Sequence, residues 1–128
     1  MQKTNQRRSG SGVDTAALKS LKVKTGICKR VMKELHSYEQ VVDKEFAKTQ
    51  NVKNSQACSF DIKRQEHVLQ ESYMMVPNCQ KRLETALTTL EKAVKECGAM
   101  TSSEECKELL AATQLIAQVK PIFADLTN

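Results

Sequence analysis

The chain has 128 residues, 40% hydrophobic and 27% charged, with 4 Gly, 2 Pro and no Trp, which suits one domain built from long helices. No apolar run approaches the roughly 18 to 20 residues that a membrane span requires, and the polar start at residues 1–6 lacks a signal core, so we expect a cytoplasmic protein. The net charge of +5 is concentrated in residues 15–54, with nine Lys/Arg against four Asp/Glu; this favours an acidic partner, although a solvated helix face would look the same.

The first segment with helical spacing follows a polar start. Residues 1–13 are predicted to be a flexible basic tail because they hold almost no apolar side chains. Asp14 is a candidate N-cap for a first helix over about residues 15–52. Its predicted buried face consists of Leu18, Leu21, Cys28, Met32, Leu35, Val42, Phe46 and Thr49, widened by Ile27, Val31, Tyr38 and Val41. Gly26 interrupts this helix at a cost of about 1 kcal/mol relative to Ala, which indicates either a close backbone contact or frayed first turns.

The second helix has the clearest pattern in the chain. Residues 51–60 are predicted to be a loop, and a helix is predicted over about residues 61–98, capped by Ser59 or Asp61. The apolar positions recur every seven residues, at Ile62, Leu69, Val76, Leu83, Leu90 and Cys97. A sustained seven-residue repeat predicts nearly antiparallel or parallel packing with a left-handed supercoil. Because this phase survives across Pro77, we expect a kink near Tyr73 rather than an end.

A third, shorter helix is predicted over about residues 102–120. Thr101 and Glu104 have the spacing of a capping box, and Pro121 is expected to close or bend the end of the helix. Two long helices and one shorter helix, joined by short loops, predict an all-α, elongated, antiparallel three-helix bundle with a spectrin-like, left-handed twist over residues 14–128.

The sequence contains no pattern typical of catalysis, and we expect neither an enzyme nor a cofactor. It has no phosphate-binding loop, and His36 and His67 lie in different helices without metal-ligand spacing. The five cysteines form no C-x-x-C pair and are expected to be free thiols that mostly fill the core. Five aromatic residues provide no platform for nucleic acid, and no membrane-binding helix is expected either.

One uncharged segment, Ser72 to Gln80, lies in the middle of the second helix. If Val76 points inward, Met74 points outward, and an outward methionine beside a proline suggests an adaptable contact surface. A kink that turns Met74 inward, or a single exposed apolar residue without a role, would explain the same pattern.

Two blocks of sequence resemble the tubulin-binding cofactor A family. The first is Leu21 to Glu34 (LKVKTGICKRVMKE), and the second is Phe60 to Glu91, including DIKRQ, LQES and MMVPNCQKRLE. The resemblance implies a three-helix bundle that captures monomeric β-tubulin and holds it before α/β-tubulin assembly. It also implies no nucleotide, no covalent step, an indirect link to other tubulin-folding cofactors and an association with the cytoskeleton. The chain before Leu18, the loop 54–58 and the residues after Glu96 match the family less well.

The resemblance also suggests which residues contact the partner. They are Lys24, Lys29, Arg30 and Lys33 on the first helix, and Met74, Asn78, Lys81 and Arg82 on the second. The basic group would hold an acidic tubulin surface, and Met74 with its neighbours would cover apolar area. The other hypothesis is a coiled-coil scaffold or homo-oligomer without tubulin specificity, and the sequence leaves monomer and homodimer open.

Overall fold

The computed structural model describes residues 15–99 and 106–126, and within these ranges all regular structure is helical. Helix α1 runs over Thr15–Asn54, α2 over Ser59–Gly98 and α3 over Lys107–Leu126. This confirms the predicted all-α fold with two long helices and one shorter helix.

Each long helix has a row of buried or half-buried residues spaced seven apart along its length. In α2 the predicted repeat is confirmed, since Ile62, Leu69 and Val76 are half-buried and the later members of the row are buried. Helix α1 has a matching row, formed by Leu21, Cys28, Leu35, Val42 and Thr49. Two helices that each present such a row can pack along their lengths by knobs-into-holes contacts.

The predicted buried face of α1 was too wide. Ile27, Val41 and Phe46 are 39%, 45% and 50% exposed. Ile27 and Val41 each precede a member of the seven-residue row, and one residue turns a helix by about 100°, which carries the side chain to the flank. Helical spacing alone does not show how many neighbours a helix has, and this explains the error.

The described residues divide into two compact units of 53 residues each. Unit 1 contains the described residues up to Arg30 together with those from Glu84 onward, and unit 2 is Val31–Leu83. Unit 1 contains parts of all three helices, whereas unit 2 contains only the second part of α1, the loop and the first part of α2.

The connection between α1 and α2 is shorter than predicted, because α1 continues to Asn54 and α2 begins at Ser59. Gln56 has a φ of 58°, the left-handed conformation. The Gln56 N–H donates to the Lys53 carbonyl at 3.2 Å, and the Ala57 N–H donates to the Val52 carbonyl at 3.3 Å. These two bonds form a Schellman motif, which satisfies the last carbonyl groups of α1 and reverses the chain.

Both prolines lie inside helices. Helix α2 continues through Pro77 with its seven-residue row in phase. Helix α3 continues through Pro121 to Leu126, so the predicted end near residue 120 was wrong. The buried Val119 and the half-buried Ile122 and Phe123 flank this proline, and their packing outweighs one lost backbone hydrogen bond. The predicted start at residue 102 and its capping box lie outside the described residues.

Candidate protein-binding surfaces

The basic residues of α1 predicted to face a partner lie in both units. Lys29 and Arg30 are exposed in unit 1 and Lys24 is half-buried there, while Lys33 is exposed in unit 2. Among the described residues, none of these four makes an ion pair with a carboxylate. Their positive charge is therefore not neutralised by close contacts within the chain, and it can attract an acidic surface.

Arg82 has a different role from the other predicted cations. Its Nη1 donates to Glu34 Oε1 at 2.9 Å, and its Nη2 forms an ion pair with the same oxygen. The hydrogen bond with Glu34 raises the pKa of Arg82. The pair joins α1 to α2 within unit 2, so Arg82 holds the two helices together and much of its charge is already balanced.

The thiol of Cys79 lies beneath this ion pair. Cys79 is 2% exposed, and its Sγ is 3.8 Å from the Val31 carbonyl oxygen and 3.9 Å from Arg82 Nη2. Burial raises the pKa of this thiol, and the nearby Arg82 opposes the shift. A protonated, inaccessible sulfur is a packing group rather than a nucleophile.

The other residues predicted on α2 are all exposed in unit 2. Met74 is 69% exposed, and Asn78 and Lys81 are exposed as well. Tyr73 and Met75, on either side of Met74, are each 49% exposed. Three consecutive large apolar side chains therefore face outward from one turn of α2.

Sequence reasoning missed most of the apolar surface of unit 2. Its exposed large apolar side chains are Val41, Phe46, Phe60, Val68, Tyr73, Met74 and Met75, whereas those described in unit 1 are Val23, Ile27 and Leu110. The relative helix lengths were the available signal. A helix of 20 residues is about 30 Å long, and one of 40 residues about 60 Å, so the third helix can cover only part of the long pair.

Exposed apolar side chains lie on both sides of the α1–α2 contact in unit 2. Phe46 lies seven residues before Lys53, and Tyr73 seven after Glu66; the 3.1 Å ion pair between Lys53 and Glu66 places these two rows beside each other. We call this the Phe46–Tyr73 side.

The opposite side is defined in the same way. Val41 lies seven residues after Glu34, and Met75 seven before Arg82, so the Glu34–Arg82 pair joins the rows of Val41 and Met75. We call this the Val41–Met75 side. Unit 2 thus has exposed apolar side chains on both flanks, beside the two ion pairs, in addition to Met74.

Other functional sites are not indicated by the described residues. No cluster of three or more His, Cys, Asp or Glu side chains in this part of the chain could hold a metal ion. No helix there is long and apolar enough to cross a membrane. All five cysteines are free; Cys28, Cys79 and Cys97 are buried and Cys58 is exposed.

Comparison with known proteins gives these surfaces a context. The family model described as tubulin binding cofactor A matches residues 16–116. The tubulin-folding cofactor A of Arabidopsis thaliana is 45% identical over 108 residues, covering 84% of this chain and 95% of that protein. The tubulin-specific chaperone A of Homo sapiens is 36% identical over 91 residues, covering 71% of this chain and 84% of that protein. The crystal structure of the Arabidopsis cofactor superposes with a TM-score of 0.79 at 44% identity, covering 83% of this chain and 97% of that one.

Proposed function

We propose, since this chain belongs to the tubulin binding cofactor A family, that it is a tubulin-folding chaperone that captures monomeric β-tubulin and holds it before assembly with α-tubulin. The observation that carries this proposal is the family match over residues 16–116. This match confirms the resemblance of the two sequence blocks to the family. It also extends past Glu96 into α3, where the sequence resembled the family less well.

The geometry supports binding through exposed surfaces. Unit 2 offers exposed apolar side chains on several sides, and large exposed apolar patches are typical of protein-interaction sites. Met74 and Met75 suit a surface that adapts to its partner, because methionine is flexible and polarizable. The basic side chains Lys24, Lys29, Arg30 and Lys33 would direct the encounter and select an acidic surface. Asn78 and Lys81 would form the polar margin of the contact.

This role needs no chemical step, and we propose a non-catalytic protein without a cofactor. Capture and release are binding equilibria, and their free energy comes from the area that the partner buries. We also propose that the protein is cytoplasmic, where it would meet newly folded tubulin and act indirectly with other tubulin-folding cofactors.

The central test is gel filtration of the purified protein with newly released β-tubulin, and with α-tubulin as the comparison. We expect a complex with β-tubulin only. Binding of both subunits would contradict the proposed specificity, and binding of neither would contradict the function.

The electrostatic part of the proposal can be tested with charge reversal at Lys29 and Arg30. Charged residues at the margin of an interface act mainly on the rate of association, and salt screens them. Lys29→Glu with Arg30→Glu should therefore slow capture at about 50 mM salt. The Debye length shortens from more than 10 Å to a few ångströms as salt rises to about 0.5 M, and the variant and the wild type should then converge. The matched control is Lys44→Glu with Lys63→Glu, which makes the same change in net charge at two exposed lysines of unit 2 that have no ion pair among the described residues. Capture that does not respond to salt would remove the electrostatic steering.

A second candidate, a homo-oligomeric coiled-coil scaffold, is favoured by one observation. Phe46 and Tyr73 lie in seven-residue rows on one side of unit 2, where a second copy could pack. Concentration-dependent mass, measured by sedimentation, separates the two candidates. A stable dimer that does not bind β-tubulin would favour the scaffold.

A further inference from the structure

A shallow depression of about 380 Å³ lies between α1 and α3 in unit 1. It is lined by Lys22, Thr25 and Gly26 from α1 and by Lys107, Glu108 and Ala111 from α3. The floor is open at Gly26, because a Cβ added there would meet no heavy atom within 4 Å. We call this the Lys22–Lys107 depression.

Its charge is positive and unbalanced. Neither Lys22 nor Lys107 makes an ion pair with a carboxylate among the described residues. Lys29, seven residues after Lys22, lies beyond the lining on the same face of α1, and it is also exposed without an ion pair among the described residues. The carboxylate in the lining is Glu108, so two ammonium groups of the lining stand against one negative charge.

Glu108 is already engaged at the start of α3. The hydrogen bond from its own backbone N–H is the main cause that lowers the pKa of this carboxyl, followed by the Cys106 thiol at 3.4 Å and by Lys22 and Lys107. Glu108 therefore stays ionised at neutral pH and caps the helix, while the ammonium groups remain more than ion-pair distance away. They are left available to a carboxylate from outside.

We propose that the Lys22–Lys107 depression receives an extended acidic segment of the captured partner, an inference that rests on the proposed tubulin-binding function. A partner carboxylate would lie between the two ammonium groups, and the partner backbone would pass over Gly26, where no side chain blocks its approach. The Thr25 hydroxyl donates to the Leu21 carbonyl at 2.8 Å and so is not directed outward. Recognition is therefore by charge and shape, and it selects acidic character rather than one exact sequence.

The first experiment measures fluorescence anisotropy of a labelled 12-residue peptide of alternating Glu and Gly with the full chain at low salt. Lys22→Ala with Lys107→Ala should weaken binding about tenfold, as expected when two ion pairs are lost together. The charge-matched control is Lys44→Ala with Lys63→Ala, two exposed lysines of unit 2 without ion pairs among the described residues. It should stay within about twofold of the wild type. Equal losses in the two variants, or no binding by the wild type, would overturn the proposal.

Substitutions at Gly26 test the shape of the depression independently of its charge. Gly26→Gln keeps the charge and fills the open floor, so it should weaken peptide binding at least fivefold, whereas Gly26→Ala adds one methyl group and should retain binding. Unchanged peptide binding by Gly26→Gln would show that the peptide does not pass over this position. A single-stranded RNA 12-mer that binds as well, and loses binding in the same lysine variant, would assign the depression to polyanions in general and overturn the acidic-peptide assignment.

The same variants are then tested with β-tubulin by gel filtration. Weaker capture by Lys22→Ala with Lys107→Ala than by the control pair supports the inference. Equal capture by wild type and variant overturns the inference while the proposed function stands. Failure of the wild-type chain to capture β-tubulin overturns the proposed function itself, whatever the peptide result.

Discussion

Gly26 lies inside α1, three turns from its start, and replacing it with alanine should stabilise the protein. The φ of Gly26 is not in the left-handed range, and the added Cβ would meet nothing within 4 Å. The substitution therefore brings no steric cost and recovers the difference in helix propensity, about 1 kcal/mol in a helix interior. Unfolding entropy of about 2 cal/mol/K per residue, over a chain of this size, converts that gain into a rise in Tm of about 4 °C.

The assay is thermal unfolding followed by circular dichroism at 222 nm, with the midpoint and slope compared between variants. Gly98→Ala is the matched control, because Gly98 is the last residue of α2 and its Cβ would also meet nothing within 4 Å. Propensity matters less at a helix end, so the control should change Tm by less than half as much. A fall in Tm for Gly26→Ala would refute the reasoning. It would mean that the backbone at Gly26 makes a close contact, which is one of the two explanations that the sequence left open.

The turn at Gln56, the buried Leu90 and the unequal exposure of the cysteines each allow a direct test. Gln56→Gly should raise the free energy of unfolding, measured with urea, by about 1 kcal/mol, because the backbone of Gln56 is left-handed. Gln50→Gly inside α1 should lower it by a similar amount, and a lower free energy of unfolding for Gln56→Gly would contradict the turn assignment. Leu90→Ala should cost about 3 kcal/mol in the same assay, because Leu90 is 0% exposed, and a cost below about 1 kcal/mol would mean that the site collapses. At pH 8 a thiol reagent should label the exposed Cys58 within minutes while Cys28 reacts slowly, because burial blocks access to Cys28 and raises its pKa, which leaves less thiolate. Peptide mass spectrometry shows the order of labelling, and prompt labelling of Cys28 would show that unit 1 opens readily.

The sequence predicted helices better than it predicted which surfaces stay open. The α2 row from Ile62 to Cys97 follows from a repeat that only a long packed helix produces, and it is found as expected. Phe46 was assigned to the core because its spacing from Val42 and Thr49 is helical, yet it is 50% exposed. Spacing reports which side of a helix is apolar, whereas burial also depends on whether another helix covers that side.

Long-range pairing of charges was equally hidden from the sequence. Arg82 and Lys81 are neighbours in the chain and were grouped together as partner-facing cations. The structure pairs Arg82 with Glu34, which lies 48 positions earlier, and leaves Lys81 without an ion pair among the described residues. Only the antiparallel register of α1 and α2 brings Glu34 to Arg82, and a register is a property of the packed pair rather than of either helix.

The unequal distribution of the core has a consequence for how capture would work. The two units have the same number of described residues, but ten buried apolar residues are described in unit 1 and three in unit 2. Sparse burial lowers the free energy of local opening, so unit 2 should be the less stable part of the chain. A partner that covers the Phe46–Tyr73 side or the Val41–Met75 side would supply the apolar contacts that unit 2 lacks, and its binding would stabilise that unit by mass action. Because the same contacts that stabilise unit 2 would hold the partner, an exposed and weakly packed helix pair is a reason for binding rather than a defect of the fold.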